Sequence, residues 1–372
     1  MQSRTQTTMG AWKLYRPGSV ERGDADLRWE QATRPRPAAD EVVLAVGACG
    51  VCHTDLHIVE RDIEPPAYPV IPGHQVVGRV AERGANVPPL LAPPPDLDPR
   101  ARDFWSDHAD ALRVVTGARF GVGWFSRACG ACAYCRAGRE NLCPHAAFTG
   151  FSRDGGFADF LSAPATALIP LPPGLDDIEA APLLCAGIIG YRALRLAGGT
   201  DGPPKLLGLF GFGASAHLAI QVARNFGHRV FVFTRSAAHR ELATALGAEW
   251  TGPADAAPPE PLDAAVTFAP VGHVAVAALA VTKPGGTVVV NAIHLAGDIP
   301  AFPYARLYGE RVFTSVTNYT RRDAWEFMYH VVRARIRPTV EAVSRTALPQ
   351  ALVRLRAGAV QGSIALDFHR AD

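Results

Sequence analysis

Hydrophobic positions along the chain fall into two textures. Between residues 40 and 90 short apolar runs alternate with turns: Glu41–Val46, then Val70-Ile71-Pro72-Gly73-His74, then Gln75–Val80. Such alternation predicts half-buried strands and a compact, mostly β domain. From Leu206 the texture changes. Leu206–Phe210 is continuously apolar, a glycine turn follows, and Leu218, Ile220, Val222, Ala223 and Phe226 then mark a helix closed by Gly227. Arg229–Thr234 is the next strand, with further strands expected at Asp263–Phe268, Gly286–Ile293 and Arg311–Thr317. Buried strands alternating with helices predict a doubly wound parallel sheet, so the chain is α/β with two differently built parts.

The connecting regions carry their own signals. Residues 88–116 hold Pro88, Pro89, Pro93, Pro94, Pro95 and Pro99, followed by helix-like composition over Arg100–Val115. This stretch reads as an exposed excursion from the β domain. Gly155–Phe160 reads as a return to strand, and Leu168–Gly174 as a stiff crossing segment. An apolar helix through Tyr191, Leu194 and Leu196 ends at Gly198-Gly199. Ala264–Thr282 is the longest weakly polar run, but Pro270, Gly272 and His273 divide it below the ~20 apolar residues of a membrane span. It is expected to form a strand, a turn and a buried helix. Met1–Met9 is polar, lacks the apolar segment of a signal peptide, and reads as a loose lead-in to Ala11–Tyr15. A cytoplasmic protein without a membrane partner is expected.

Composition narrows the partners. The 372 residues are 48% hydrophobic and 19% charged, ample for a buried core and long enough to favour two domains. A formal net charge of +2 without a basic block argues against nucleic acid or an anionic membrane as partner. Seven cysteines are an odd number for a disulfide framework, which favours metal or thiol chemistry.

Three motifs carry that chemistry. Cys49-Gly50-Val51-Cys52-His53-Thr54-Asp55-Leu56-His57 sets thiols, imidazoles, a hydroxyl and a carboxylate within nine positions. Thiolate and imidazole suit zinc. Cys129, Cys132, Cys135 and Cys143 are spaced so that one loop can wrap four sulfurs around an ion. An iron–sulfur cluster also uses four thiolates; we read the loop as a closed structural zinc site, because free surface thiols are avoided. Gly211-Phe212-Gly213-Ala214-Ser215-Ala216 lies between strand and helix, where backbone can approach a pyrophosphate and the helix N-terminus favours its charge. At the tip of the next strand stand Thr234, Arg235 and Ser236 rather than the acid that holds an NAD ribose. A guanidinium with hydroxyls suits a 2′-phosphate, so NADP is slightly favoured over NAD.

Taken together, the Cys-His-Thr-Asp-x-x-His stretch, Gly73-His74, the four-cysteine loop, Leu184-Cys185-Ala186-Gly187 and the glycine turn resemble the zinc-dependent medium-chain alcohol dehydrogenases. The resemblance covers nearly the whole chain from Ala11, apart from residues 88–116. It implies a GroES-like catalytic domain over 1–184, a Rossmann dinucleotide-binding domain over 185–317, and a return to the catalytic domain over 318–372. It implies Cys52, His74 and Cys185 as ligands of a catalytic zinc, with Asp55 orienting His74. Thr54 is then the hydroxyl that contacts the reacting oxygen, His57 the outer end of a proton relay, and His53 a pyrophosphate contact. Trp124 and Phe125 resemble the apolar wall beside the metal, and Cys49 has no role beyond structure. The implied reaction is hydride transfer between a primary or secondary alcohol, or the matching aldehyde or ketone, and a nicotinamide cofactor. One catalytic and one structural zinc per chain and a homo-oligomer, dimer or tetramer, are expected.

The chain departs from the family pattern in places. Gln75 follows His74 where the family has Glu, Ile189 stands where Thr is frequent, and Gly362-Ser363 replaces a Gly-Arg that pairs with pyrophosphate. Arg321 or Arg322 are candidates to take over that last contact. Two other functions use the same scaffold: a zinc-independent reductase of activated double bonds, and a nucleotide-binding relative without activity. The complete Cys52, His74 and Cys185 set argues against the first, while the Gln75 and Ser363 departures leave room for the second.

Overall fold

The computed structural model describes residues 7–370. They divide into two compact units, one holding the chain through Cys185, Asn318–Tyr329 and the residues from Val340 on, the other holding Ala186–Thr317 and His330–Thr339.

The first unit is built on a seven-stranded sheet. Its path runs Val340–Ser344, Ser363–Asp367, Glu41–Val51, Gln75–Arg83, Arg119–Val122 and Leu168–Pro170, with Phe160–Pro164 also paired to Glu41–Val51. All pairings are antiparallel except that of Val340–Ser344 with Ser363–Asp367. The central strand Glu41–Val51 is almost entirely buried, so its run of Val, Leu and Ala lacks polar alternation beyond Val46. A separate hairpin-like pair, Thr8–Arg16 with Asp26–Thr33, completes the β content of the N-terminal region. Thr8 and Met9 therefore belong to a strand and not to a loose lead-in, while Met1–Gln6 lie outside the described residues.

Two other expectations for this unit are corrected. Residues 88–116 are exposed at many positions, as expected, but are not a free excursion, because others are packed into the core. Asp98 caps the helix Pro99–Asp107, accepting from the Arg100 amide, and Pro99 occupies its first turn, where a missing N–H costs nothing. That helix buries Trp105 completely, with rings 5.6 Å from Trp325 and the indole N–H donating to the Trp325 carbonyl at 3.2 Å. Leu91, Leu97, Ala101, Leu112 and Val114 are buried as well. Gly155–Phe160 is not a continuous strand either, since the strand begins at Phe160 and only an isolated antiparallel bridge, Ala158 with Ala11, precedes it in that stretch. A Cβ at Gly155 would stand 2.2 Å from the Gly73 carbonyl oxygen, and one at Gly156 2.2 Å from Val76. The glycines permit close backbone approach there.

In the second unit six parallel strands lie in the order Trp250–Gly252, Arg229–Phe233, Leu206–Phe210, Leu262–Thr267, Thr282–Val290, Val312–Ser315. The order reverses direction at Leu206–Phe210, so the crevice beside that strand's carboxyl end is the topological switch point. Phe210 and Phe233 stack at 3.9 Å within a core that includes Leu206, Phe231, Leu262 and Val288. The run from Ala264 forms strand, turn and the buried helix Gly272–Ala280 as expected, and among the described residues no helix is long and apolar enough to cross a membrane. The observed architecture is the α/β arrangement expected from the sequence.

Candidate active site

Strand Glu41–Val51 delivers Cys52 to the N-terminus of the helix His53–Glu60. There a capping box closes the turn: the Cys52 sulfur accepts from the Thr54 amide at 3.3 Å, and Asp55 Oδ2 accepts from the Cys52 amide at 2.9 Å. The local fold thus explains both residues before any chemistry is invoked. The other Asp55 oxygen accepts from the Gly73 amide at 3.2 Å and lies 3.0 Å from His74 Nδ1, with both side chains wholly buried. Gly73 has a φ of 95°, and a Cβ there would meet Phe157 at 2.6 Å, so only glycine allows this approach. Asp55 keeps the proton on Nδ1, which leaves the Nε2 lone pair of His74 facing Cys52 Sγ at 3.2 Å.

Cys185 arrives from more than a hundred positions away, on the π-helical segment Leu183–Gly187. Such segments concentrate at functional sites because they re-aim one side chain within a helix. The donor atoms of Cys52, His74 and Cys185 all lie within 4.8 Å of one another. Two sulfurs and one imidazole at this separation fit a zinc ion with one position left over. The Cys185 sulfur and burial push the Cys52 thiol well above its ordinary range, and a divalent cation reverses that by stabilising thiolate. Trp124 stands edge-on to His74 at 5.1 Å and stacks on Phe148 at 5.2 Å, walling the triad with apolar surface.

The four-cysteine loop gathers in the same manner but closes on itself. Cys129, Cys132, Cys135 and Cys143 present sulfurs within 4.8 Å of one another. The Cys129–Cys135 and Cys132–Cys135 separations are 3.9 and 3.5 Å, close to the ~3.8 Å edge of a tetrahedron with 2.3 Å metal–sulfur bonds. Backbone amides of Cys129, Cys132 and Cys135 donate to the sulfurs of Cys143, Cys129 and Cys132. Amides of Ala131 and Cys132 lower the Cys129 thiol to about 6, and burial raises Cys135 to about 12.

Thr54 and His57 sit three apart on the helix His53–Glu60, hence on one face. His57 Nδ1 is 2.7 Å from Asp62 Oδ2, a partner that sequence reading missed. Asp62 lies just past Arg61, whose φ of 69° ends the helix and turns the following chain back. His53 is exposed on the same helix. Cys49 is buried in the sheet and belongs to neither sulfur cluster. Gln75 is also buried, its side chain filling the space beside Gly50. Tyr319 is a further wall residue that sequence reading passed over. Its phenol occupies the notch left by Gly123, where a Cβ would stand 2.1 Å from the hydroxyl, and the Phe125 amide donates to it at 3.3 Å.

The second unit presents the glycine turn between Leu206–Phe210 and the helix Ala214–Asn225. Gly211 has a φ of 91°, and a Cβ there would stand 2.7 Å from the Ala269 amide nitrogen. At Gly213 the space a Cβ would fill is open, leaving backbone free to meet a ligand. Phe212 and Ala216 are buried, and Ala214 and Ser215 begin the helix. On the neighbouring strand, Thr234 donates its amide to the Gly252 carbonyl, Arg235 is exposed, and Ser236 caps the next helix by accepting from the His239 amide. Arg240 clamps this tip by donating to the carbonyls of Thr234 and Arg235, both at 2.9 Å. Arg321 and Arg322 are committed within the first unit, to the Ala92 carbonyl and to Glu326 and Asp96, so neither stands free to replace the missing Gly-Arg.

Comparison with known proteins agrees with this geometry. Residues 38–92 and 106–173 match the alcohol dehydrogenase GroES-like domain, and residues 216–332 match the zinc-binding dehydrogenase domain. A probable alcohol dehydrogenase of Mycobacterium tuberculosis is 42% identical over 97% of this chain and 98% of its own length. An alcohol dehydrogenase of Geobacillus stearothermophilus is 33% identical over 91% and 95% respectively. Among solved structures, a cinnamyl alcohol dehydrogenase from Sorghum bicolor superposes with a TM-score of 0.82 at 27% identity, covering 98% of this chain and 99% of that one. The two matched domains and the identity carried across nearly the full length place this chain in the zinc-dependent medium-chain alcohol dehydrogenase family.

Proposed function

We propose that the protein is an NAD(P)-dependent alcohol dehydrogenase, moving a hydride between a primary or secondary alcohol, or the matching aldehyde or ketone, and a nicotinamide dinucleotide. The observation that carries this reading is the convergence of Cys52, His74 and Cys185, three buried or half-buried donors from distant segments, with Asp55 already occupying the outer nitrogen of the histidine. Zinc held there supplies Lewis acidity, favouring loss of the alcohol's proton or polarising a carbonyl.

The chain's own residues supply the rest. Asp55 fixes the ring of His74, Trp124 excludes water beside that ring, and Phe125, packed on Phe148, is assigned to the same apolar wall. Thr54 Oγ1 is assigned to accept the alcohol's hydroxyl proton while releasing its own, and a bound nicotinamide would accept the hydride. His57, its ring steadied by Asp62, is assigned to exchange that proton with solvent, and a ribose hydroxyl of the bound dinucleotide would link it to Thr54. His53 is assigned to the pyrophosphate. The first unit is assigned catalysis, and the second, through Gly211–Ala216, the dinucleotide.

Three finer readings belong with this one. Cys129, Cys132, Cys135 and Cys143 hold a second, structural zinc, since four sulfurs leave no open position. NADP is preferred over NAD, because Arg235 and Ser236 stand at a strand tip without a carboxylate and Arg240 holds that tip in shape. The chain assembles as a dimer or tetramer: the edge strand Val312–Ser315 and the preceding residues expose Val312, Tyr304 and Tyr308, the last two at 71% and 68%. The thiol clusters fit a reducing compartment, the cytoplasm.

A panel of alcohols and carbonyl compounds assayed with both dinucleotides on zinc-loaded protein tests the reading. Turnover abolished by chelation and restored by zinc is expected. Reduction of activated double bonds that survives chelation defeats it, and a higher kcat/KM with NAD than with NADP defeats the Arg235 assignment.

A further inference from the structure

His217 lies in the first turn of the helix Ala214–Asn225, and its ring is wholly buried. A buried imidazole has two ring nitrogens to satisfy. Nε2 accepts the Thr339 amide at 3.1 Å, which in a neutral ring puts the proton on Nδ1. Nδ1 then donates to the Gly213 carbonyl at 3.3 Å, an oxygen that also accepts the His217 amide at 3.1 Å. Burial lowers the His217 pKa to about 4, so the ring is neutral under physiological conditions. One turn on, Gln221 makes a matching pair with Arg337, donating to its carbonyl at 2.9 Å and accepting its amide at 3.0 Å. Helix and the segment Arg337–Thr339 are thus fastened at two successive turns.

The Gly213 carbonyl belongs to the peptide that joins the glycine turn to the helix. Two donors hold it toward the helix, and because a trans peptide sets its N–H opposite its C=O, the Ala214 amide is turned the other way. Gly213 makes no side-chain cap, and the space beside it is open. The first-turn amides therefore have no acceptor within the helix, the arrangement that binds an anion.

We propose that His217 is a positioning residue for the dinucleotide: its Nδ1–H fixes the Gly213 carbonyl so that the amides of Ala214, Ser215 and Ala216 are preset for the pyrophosphate, and its Nε2 ties that setting to the backbone at Thr339. The inference rests on reading this turn as the dinucleotide site.

The test measures dissociation constants of NAD and NADP by calorimetry on the zinc-loaded full chain, for wild type, His217→Asn, His217→Gln and His217→Phe, with melting temperature recorded for each. Asparagine keeps an amide donor near the Nδ1 position, whereas glutamine reaches toward Thr339 and phenylalanine keeps only the shape. Loss of the Nδ1–H bond in the Gln and Phe variants is expected to raise Kd and cofactor KM about tenfold, while Asn stays within about threefold and kcat at saturating cofactor within about twofold. An Asn variant that loses as much affinity as Phe, or affinities that follow melting temperature alone, would reduce His217 to a packing role. If Phe does not fold, the Asn and Gln pair decides. Wild type binding with unchanged affinity in all variants overturns only this inference, whereas a wild type that binds neither dinucleotide overturns the reading of the turn as well.

Discussion

Two sulfur-containing clusters sit in the same unit and differ in one respect that governs what each can do. The Cys129–Cys143 loop draws all four sulfurs from fifteen consecutive residues, and a metal held by all four would have no coordination position for substrate. The Cys52, His74, Cys185 set draws three donors from separate segments, and a tetrahedral metal held there would keep one position over. A closed site contributes to folding, since its metal binds only when the loop is gathered. An open site depends on a scaffold that is already folded, so its metal is available for chemistry. The second arrangement also needs outer support. Asp55 provides it through three contacts, to His74 and to the amides of Cys52 and Gly73. The sulfurs of the closed loop are supported by the loop's own amides.

Substitutions separate the two roles. The largest effect is expected from Cys185→Ser, which should lower kcat by about 10³-fold or more while the melting temperature shifts little; steady-state kinetics beside a thermal scan would show it. Cys132→Ser should do the opposite, lowering the melting temperature by about 10 °C or causing zinc loss on mild heating. Residual activity at low temperature should then stay within a few-fold of wild type; an unchanged melting temperature would remove the contrast. A smaller loss is expected from Asp55→Asn, because the amide keeps its shape but not its charge. Zinc affinity or turnover should fall about 10–100-fold, and competition with a chelator measures it. An Asp55→Asn protein as active as wild type would mean that the carboxylate acts only as a helix cap.

How far each feature could be read from sequence follows the same division between local and dispersed. The four-cysteine loop and the glycine turn are local: spacing pointed to the first, and placement between an apolar strand and a helix pointed to the second. His74 and Cys185 carry no local mark: one follows a Pro-Gly turn and the other lies in an apolar helical stretch, so only resemblance joined them to Cys52. Their meeting depends on the pairing of Glu41–Val51 with Gln75–Arg83 and on the π segment at Leu183–Gly187, neither of which a spacing rule encodes. The segment 88–116 was legible only in part, for a different reason. Its prolines were taken as a mark of exposure, yet Asp98-Pro99 is also a helix start, and Trp105 finds its partner Trp325 some 220 residues away. Gly155 and Gly156 were read as strand entry, whereas they are needed for contact with Gly73 and Val76. Sequence reading passed over His217, because the Thr339 partner of its ring emerges only once that residue is placed beside the turn.

Elemental analysis of purified wild type and Cys52→Ser, each with a melting curve, addresses the division of labour directly. The account expects wild type to hold one zinc for each of the two clusters, and Cys52→Ser to keep only the closed-loop ion, with its melting temperature preserved and turnover lost. A Cys52→Ser protein that retains both ions and its activity, or a wild type whose activity is indifferent to the second ion, would contradict it.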